Sequence, residues 1–386
     1  MKLVIGYELN GQVYAIYSLI KPYGYSVDGR KILEPNKVSQ AVREIKSFKD
    51  ETFKLDVNIS EVLLSLPPCG LQVYDTIQTT TVYSNEAVGS SDLMNIYTLI
   101  KNSASKMSSE LVDVVPEKYI LDDDRQFSKF PENERSCSLT ATVKVHTLPK
   151  DVTSNYFNVL KQGEIKIKKP VIAPFAAIQL LSTYPEVPNS YLLVDIGSNL
   201  TTVSLVGNKQ LFASSYFEWG GDYITERIRE AFNLNEAYAE KYKILYGIDD
   251  RKMNFSAPVC TTKDFDGNEI KHYNNELNEI IKKELTNFVS QLNRGIDQLL
   301  NDYDPTYKSL PIVLIGGGSR LKGLVKYLQE SMPFNDSVQA VLPKTIGARN
   351  ASFTNCLGMI LANAKYPSYY NEPHMRIPQI TRGNEE

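Results

Sequence analysis

The sequence is poor in the residues that build metal and disulfide sites, and it lacks a long apolar run. Its 386 residues include four cysteines, three histidines and one tryptophan. No CxxC or HxxxH spacing occurs among them, which favours reduced thiols in a cytosolic protein over a structural metal site. No apolar stretch of about 18 residues is present, and polar residues recur through the N-terminal segment MKLVIGYELNGQVYAIY. That segment predicts the start of a strand rather than a signal peptide.

The chain also lacks an excess of charge of either sign. It carries 42 Lys and Arg residues against 45 Asp and Glu residues, a net charge of −3. This balance does not support a global nucleic-acid binder, and we expect no nucleic acid among the partners. Apolar residues at 42% and charged residues at 23% are typical of a globular protein. The length predicts roughly two to three domains.

The N-terminal part predicts a hairpin, a helix and a compact α+β block. Two β-rich runs meet at Asn10-Gly11, a dipeptide typical of a tight hairpin turn. Apolar residues at helical spacing in NKVSQAVREI predict a helix, and EVLLSLPP predicts a short strand. Between 84 and 162, a helical stripe, the extended VDVVPEKYILDD and the alternating CSLTATVKVHTL predict a unit inserted into a larger fold.

The remainder of the chain repeats this plan. In 190–232, three strands separated by turns precede an amphipathic helix. The recurrence of a hairpin followed by a helix predicts an internally duplicated α/β protein. A long helix with one apolar face follows over 277–300, and LPIVLIGGGSRLKG predicts a buried strand, a glycine turn and the start of a helix. FTNCLGMILANAKY predicts a last, apolar helix.

Two turns that contain glycine directly follow buried strands, and both are candidates for binding phosphate or a nucleoside. They are DIGSN at 195–199 and GGGSR at 316–320. Glycine lets the backbone approach a ligand closely, and amides at the start of a helix attract phosphate. Asp195 ends the first of these strands and could hold a hydrated Mg²⁺, which prefers few carboxylates and several waters. Either turn alone is equally explained by tight packing of strand against helix.

The order and spacing of these turns resemble the actin-like ATPase superfamily. That resemblance implies a duplicated, two-lobed α/β fold of the ribonuclease H-like type that binds ATP and Mg²⁺ between its lobes. It implies phosphate hairpins at GYELNGQ (6–12) and VDIGSNLTT (194–202), and an adenosine turn at LIGGGSRLKG (314–323). Glu240 and Lys243 fall where the superfamily places a Glu and a Lys against ribose and adenine, although a solvated helix face would carry the same residues. The residues implied to bind the nucleotide are Glu8, Asn10, Asp195, Gly197, Ser198, Asn199, Gly220, Gly221, Glu240, Lys243, Gly316, Gly317, Gly318 and Ser319, with Asp195 also on the metal.

A narrower resemblance is to the bacterial cell-division family FtsA. It rests on EVLLSLPP, SLTATVKVHTL, VDIGSNLTT, WGGDYIT and AEKYKILYG, and on Val115-Pro116-Glu117-Lys118-Tyr119 followed by Asp122. The resemblance implies a first-lobe core at 1–83, 163–190 and about 345–366, with a small α+β subdomain inserted at 84–162. It implies a second-lobe core at 191–225 and 306–344, a small helical subdomain at 226–305 and a polar tail at 367–386.

Both phosphate hairpins depart from the family pattern. In the first, Asn10 replaces the usual glycine, and no lysine or Ser-Thr pair follows Glu8. In the second, Ser198 and Asn199 replace glycines, and Thr202 takes a place often held by Asp. Larger side chains leave less room for phosphate, and the missing Asp removes a group that orients water or the metal. We therefore expect ATP binding with slow or absent hydrolysis, and we assign no catalytic residue.

The FtsA resemblance also implies partners and a location. Members of the family form filaments by self-association, bind the C-terminal peptide of the tubulin-like protein FtsZ, and attach it to the membrane through a C-terminal amphipathic helix. The implied protein is a cytoskeletal adaptor in the cytoplasm, at the inner face of the cell membrane at the division site. Lys282, Lys283 and Arg294 on the long helix are candidates to meet the acidic peptide, and a merely solvated helix face is the alternative.

The tail departs from the family as well. Segment 367–386 contains three prolines and ends in two acids, a pattern that excludes a basic amphipathic helix there. We therefore expect the membrane to be reached indirectly, or through an anchor absent from this chain.

Two other functions stay open. A PilM-like scaffold of a pilus or secretion machine would hold a short N-terminal peptide of an inner-membrane protein in a groove between subdomains. A sugar or acetate kinase of the superfamily would need a catalytic base beside its cleft. Asp195, Asp222 and Glu8 are the candidates for such a base, and the inserted block is out of place for a kinase.

Overall fold

The structure is a computed structural model, and it describes residues 1–21, 30–50, 54–83, 87–105, 109–248, 258–263, 266–332 and 337–366. The predicted polar tail, 367–386, lies outside these residues. The strands are β1 (Lys2–Leu9), β2 (Gln12–Ile20), β3 (Ser47–Asp50), β4 (Leu55–Asn58), β5 (Glu61–Leu66), β6 (Gln72–Thr81), β7 (Ser109–Leu121), β8 (Gln126–Phe127), β9 (Ser138–Pro149), β10 (Lys166–Ile172), β11 (Tyr191–Ile196), β12 (Thr201–Gly207), β13 (Gln210–Phe217), β14 (Pro258–Lys263), β15 (Glu269–Tyr273), β16 (Ile312–Ile315) and β17 (Val338–Ala340). The helices are α1 (Pro35–Lys46), α2 (Ser90–Ser105), α3 (Lys150–Gln162), α4 (Ala173–Leu181), α5 (Gly221–Phe232), α6 (Glu236–Tyr246), α7 (Asn274–Leu299), α8 (Leu324–Ser331) and α9 (Thr354–Lys365).

The second lobe is built on a five-stranded sheet with the order β13-β12-β11-β16-β17. β12 is antiparallel to both of its neighbours, β11 and β13, whereas β16 and β17 continue from β11 in parallel. β11 and β16 are apolar nearly throughout because both faces of the sheet are covered. The long helix α7 packs against β12, β13 and α5. Its buried apolar residues recur at helical spacing: Leu277, Ile281, Leu285, Phe288, Leu292 and Ile296.

The first lobe repeats the hairpin of the second but not its continuous sheet. Within the described ranges, β1 pairs only with β2, and β5 pairs in parallel with β10. Both strand pairs lie against α9, which packs closely on α4. Val4 and Val13 of the hairpin contact the same core as Leu66, Ile172 and Leu357. These two strand pairs of the first lobe therefore share one helical layer, and β3 with β4 forms a further antiparallel pair.

The inserted sheet consists of β6, β9, β7 and β8 in that order, with α2 packed against it. β6 pairs with β9 along its whole length, so the sheet begins at Gln72, ahead of the predicted start at 84. At the other end, α3 packs mainly on α1 in the first lobe, although 150–162 had been placed in the inserted block. Each difference has a physical cause. β6 has alternating burial like β9, and it needs the backbone hydrogen bonds to β9, whereas the apolar face of α3 packs against α1.

A buried ionic cluster joins the inserted sheet to the first lobe. Lys169 of β10 and Asp113 of β7 are almost fully buried, and the Lys169 ammonium lies 3.1 Å from Asp113 Oδ1. The same ammonium donates to the backbone carbonyl of Tyr366, at 2.6 Å, just beyond α9. Burial raises the pKa of Asp113 to about 6, against the opposing effect of Lys169. His146 of β9, opposite Asp113 in the ladder, is fully buried without a hydrogen-bond partner.

A second charged contact joins the inserted sheet to the second lobe. Lys144 of β9 is buried and pairs with Asp75 of β6 and, at 3.6 Å, with Glu117 of β7. Its ammonium lies 4.8 Å from the ring centroid of Phe212 on β13, a cation–π distance. The inserted sheet thus contacts both lobes. In the ranges that the structure describes, none of the helices combines the length and the apolar character needed to cross a bilayer.

Candidate nucleotide-binding site

Asp195 lies near the end of β11, at the centre of the predicted site. Across the sheet it faces Thr202 of β12 and Ile315 of β16. Its Oδ2 accepts a hydrogen bond of 3.1 Å from Nδ2 of Asn355, the second residue of α9. Burial raises the pKa of Asp195, while the Asn355 bond and the charge of Lys2 act in the opposite direction. The carboxylate is therefore held in the cleft between β11 and α9.

The glycine turn after β16 packs directly on Asp195. Gly316 has a φ of +82°, and a Cβ at this position would overlap Asp195 Oδ1 and the carbonyl of Ile196. Any side chain would thus clash and would also strain the backbone. Ser319 donates from Oγ to the carbonyl of Gly316, at 2.8 Å, and closes a 3₁₀ turn over 317–320. The predicted adenosine turn and the predicted metal ligand are in contact.

The second predicted phosphate hairpin, Gly197 to Asn199, is bonded to the start of α5. The amide of Gly221 donates to the carbonyl of Gly197 at 3.0 Å, and the amide of Asp222 donates to the carbonyl of Ser198 at 2.9 Å. A Cβ on Gly220 would overlap the carbonyl of Ser198, so this approach requires glycine. The first amides of α5 are thus already bonded to the turn. Gly220 is needed for this close approach, whereas a Cβ on Gly221 would meet Lys243 Nζ at 3.2 Å.

Lys243 of α6 is buried at the start of α5. Its Nζ donates to the carbonyl of Gly221 at 2.9 Å and to Thr225 Oγ1 at 2.8 Å, and it pairs with Glu240. Glu240 also accepts from Thr225 Oγ1, while about two fifths of its side chain stays exposed. Lys243 is therefore not a solvated residue on an exposed helix face, because its ammonium holds α5 and α6 together. The side chain of Glu240, beside Lys243, remains partly exposed to solvent.

The structure does not join Glu8 and Asn10 to these turns. Glu8 Oε1 accepts the Gly11 amide, at 2.6 Å, within its own hairpin, and Asn10 is exposed at the tip with a φ of 52°. The residue of β1 whose charge acts on Asp195 is Lys2, at the opposite end of the strand. At about 3.3 Å per residue, six residues of strand span roughly 20 Å. A role for Glu8 and Asn10 in the nucleotide site stays a prediction.

The predicted partner-binding residues do not share one face of α7. Eleven residues separate Lys283 from Arg294, which is roughly 20° around a helix and about 16 Å along it. Both are exposed, whereas Lys282 lies roughly 100° away and is half-buried. Glu284, beside them in sequence, is buried and pairs with Arg227 at 3.4 Å. Only Lys283 and Arg294 can therefore meet one ligand together.

The donor set at Asp195 suits Mg²⁺ better than a transition metal. Among the residues that the structure describes, no three His, Cys, Asp or Glu side chains converge on one point. A single carboxylate is what Mg²⁺ uses when phosphates and water supply its other ligands. A cavity of about 360 Å³ opens where Lys322 meets α6, and its lining includes none of the predicted nucleotide-binding residues. Its other lining residues are Lys241, Ile244 and Leu245.

Sequence reasoning missed Asn355, Thr225 and Lys2. Asn355 looks like one polar residue among several in an apolar helix, and its partner lies 160 positions away. Thr225 follows the WGGD motif without any distinctive pattern of its own. Nothing in one sequence predicts these contacts, because those of Asn355 and Lys2 depend on how the two lobes meet, and those of Thr225 depend on how α5 packs on α6.

Comparison with known proteins finds similarity to one family of cell-division proteins. A sequence model of the family "Cell division protein FtsA" matches residues 192–358. The chain is 24% identical over 371 residues to the cell division protein FtsA of Streptococcus pneumoniae, covering 93% of this chain and 77% of the relative. It is 24% identical over 385 residues to the FtsA of Enterococcus faecalis, covering 98% of this chain and 84% of the relative.

A solved structure confirms the fold. The "PilM-PilN type IV pilus biogenesis complex" includes a chain that superposes with a TM-score of 0.58, at 18% identity, over 93% of this chain and 94% of its own. At this identity the likeness concerns the fold, which is the predicted actin-like α/β architecture. With the curated relatives, the predicted resemblance is confirmed. The chain is similar to the FtsA family of cell-division proteins, and these matches support a divergent relative of that family.

Proposed function

We propose that this actin-like cell-division protein binds ATP between its lobes and acts as an adaptor. The observation that carries the nucleotide site is one connected set of contacts. Gly316 packs on Asp195, Gly197 bonds to Gly221, and Gly221 bonds to Lys243. These are the phosphate, metal and adenosine positions implied by the actin-like resemblance, and they come from three separate parts of the chain.

The proposed roles follow from what each group offers. Asp195 holds a hydrated Mg²⁺, which would neutralise phosphate charge. The backbone at Gly197, Ser198 and Asn199 faces phosphate, and the turn from Gly316 to Ser319 faces the nucleoside. Glu240 has exposed carboxylate for a ribose hydroxyl, while Lys243 keeps α5 and α6 in place beside it.

Hydrolysis is proposed to be slow or absent. Thr202, buried opposite Asp195, supplies no carboxylate where the family often has one. The alternative base Asp222 lies at the start of α5 and is half-buried, and its pKa is raised mainly by burial. Its amide is bonded to the second hairpin, so Asp222 belongs to the scaffold of the turn. Nucleotide binding is thus proposed to tune assembly.

The adaptor role rests on similarity to the FtsA family. We propose that the protein forms filaments with its own copies and binds the C-terminal peptide of FtsZ. By this route it would link FtsZ to the inner face of the cell membrane at the division site. The exposed Lys283 and Arg294 on α7 are the proposed contacts for the acidic peptide. The PilM-like alternative is supported by fold alone.

Thermal melting tests the nucleotide site. A ligand that binds only the folded state stabilises it, so millimolar MgATP should raise the melting temperature by about 2 °C or more. Asp195→Ala should remove most of this rise, because the metal loses its carboxylate. Asp297→Ala, an exposed aspartate on α7 that pairs with Lys308, is the matched control and should keep the full rise. A melting temperature that does not respond to MgATP would refute the nucleotide site.

A further inference from the structure

Asn355 connects the two lobes at the proposed nucleotide site. It lies on α9, which is fixed in the first lobe by its packing on α4 and β1. Leu357 and Ala362 of the same helix are fully buried in the first-lobe core with Ile178. Nδ2 of Asn355 reaches across to Asp195 Oδ2 at 3.1 Å. The bond therefore adds a polar contact between α9 and β11, beside an apolar core that Leu357 of α9 shares with Leu193 of β11.

Asp195 is fixed just as firmly in the second lobe. β11 is the central strand of the five-stranded sheet and is bonded on both sides, to β12 and to β16. Gly316 leaves space for the carboxylate and for nothing larger. The Asp195 carboxylate is thus held from two sides, by the glycine turn and by Asn355 of α9.

We propose that Asn355 is a positioning residue for Asp195, and that their hydrogen bond is a latch that fixes the carboxylate to α9. The inference rests on the proposed function only in assigning this carboxylate to Mg²⁺. An amide suits this position because it donates a hydrogen bond to a half-buried carboxylate without adding charge. Asn355 Oδ1 is buried without a partner, so the Asp195 bond is the polar contact that orients this side chain.

The surroundings of the pair make a charge-specific test practical. The groups facing Asp195 from β12 and β16 are Thr202 and Ile315, which do not titrate. Lys2 of β1 contributes a positive charge. Cys356, next to Asn355 on α9, stays a neutral thiol because burial raises its pKa to about 11. A second carboxylate at position 355 would therefore interact mainly with Asp195.

An exchange of the two residues tests the latch without nucleotide, so its outcome is independent of whether ATP binds. Asn355→Asp places two carboxylates together, and melting at pH 7.5 should fall by about 5 °C. Asp195→Asn in the same chain restores an amide–carboxylate pair with its direction reversed. The double variant should melt within about 1 °C of Asp195→Asn alone. Ala364→Asp, which adds a charge on the exposed face of α9, should show no such rescue by Asp195→Asn.

A pH comparison gives a second measure that does not need the exchange. Two adjacent carboxylates hold one proton at raised pKa, so the cost of Asn355→Asp grows as pH rises above the ordinary Asp pKa of about 4. The fall in melting temperature at pH 5 should be less than half of that at pH 7.5. The latch is overturned if the losses of the two single variants add in the double variant, or if Asn355→Asp costs the same at both pH values.

Discussion

At the scale of single residues, Gly316 decides whether the glycine turn can lie against Asp195. Its φ of +82° belongs to the left-handed region, and its missing Cβ leaves the space that Asp195 Oδ1 occupies. Gly317, the next residue, has neither constraint, because a Cβ there would meet only Ser352 Oγ at 3.4 Å. The two neighbours therefore form a natural pair for mutation.

Gly316→Ala should lower the free energy of unfolding by about 2 to 4 kcal/mol, from backbone strain together with overlap at Asp195. Gly317→Ala should change it by less than about 1 kcal/mol. Urea unfolding of both variants checks this, and MgATP melting of the folded fraction reports the site. Equal losses in the two variants would mean that the contact with Asp195 does not constrain the turn.

The sequence was informative about residues wherever local chemistry singled them out. Asp195 and Gly316 stood out because Asp195 lies near the end of a buried strand and Gly316 directly follows one, and both lie in the proposed site. The burial of Lys243 could not be predicted, since an i,i+3 Glu-Lys pair is equally typical of a solvated helix. For Asn355, the decisive contact comes from the other lobe. Local pattern thus finds strand-end residues better than it finds contacts between lobes.

At the scale of elements, periodicity predicted most helices and strands, including α7 and the three strands β11 to β13. The pairing of the strands was less predictable. Nothing in EVLLSLPP indicates that β5 pairs with β10 rather than with β1, because strand partners are set by the tertiary fold. The position of β6 in the inserted sheet depends in the same way on β9, more than 50 residues later.

The contact between the inserted sheet and the first lobe carries a pH dependence. Burial lowers the pKa of His146 to about 3, so the folded protein favours the neutral imidazole. The neutral imidazole therefore makes its full contribution to stability above about pH 6.5, and this contribution is lost as pH falls toward 3. Asp113, which lies opposite His146, has a pKa raised to about 6 and therefore has the reverse effect. Its carboxyl takes up a proton in the folded protein as pH falls through about 6, which stabilises the fold.

His146→Leu isolates the histidine contribution, because Asp113 is present in both proteins. At pH 7.5 the variant should differ from the parent by less than about 1 kcal/mol. Lowering the pH from 7.5 to 5 should raise the stability of the variant relative to the parent by about 2 kcal/mol, because the unfolded parent gains a proton on His146. Thr147→Val, which removes a buried, unpartnered hydroxyl next to it, is the uncharged control. Urea unfolding should show no added pH effect for this control, and a pH-independent His146→Leu would contradict the assignment.

At the scale of the whole molecule, the two lobes and the inserted sheet share one apolar core, and a few polar contacts add to it. Asn355 with Asp195 joins the lobes, Lys169 with Asp113 joins the inserted sheet to the first lobe, and Lys144 reaches Phe212 in the second. The order of motifs along the chain predicted the actin-like fold and the FtsA family, because a duplicated fold repeats its turns at fixed places. The contacts between the bodies could not be predicted from that order.

Binding of the FtsZ C-terminal peptide to the whole chain tests the proposed adaptor role most directly. In fluorescence anisotropy, a labelled peptide should bind saturably and more weakly as salt rises. Lys283→Glu with Arg294→Glu should weaken binding about tenfold or more, because both charges lie on one face of α7. The same charge change in the first lobe, Lys37→Glu with Lys49→Glu, should leave it within about twofold. Absence of saturable binding by the FtsZ peptide, with binding of an N-terminal PilN-type peptide instead, would contradict the adaptor role.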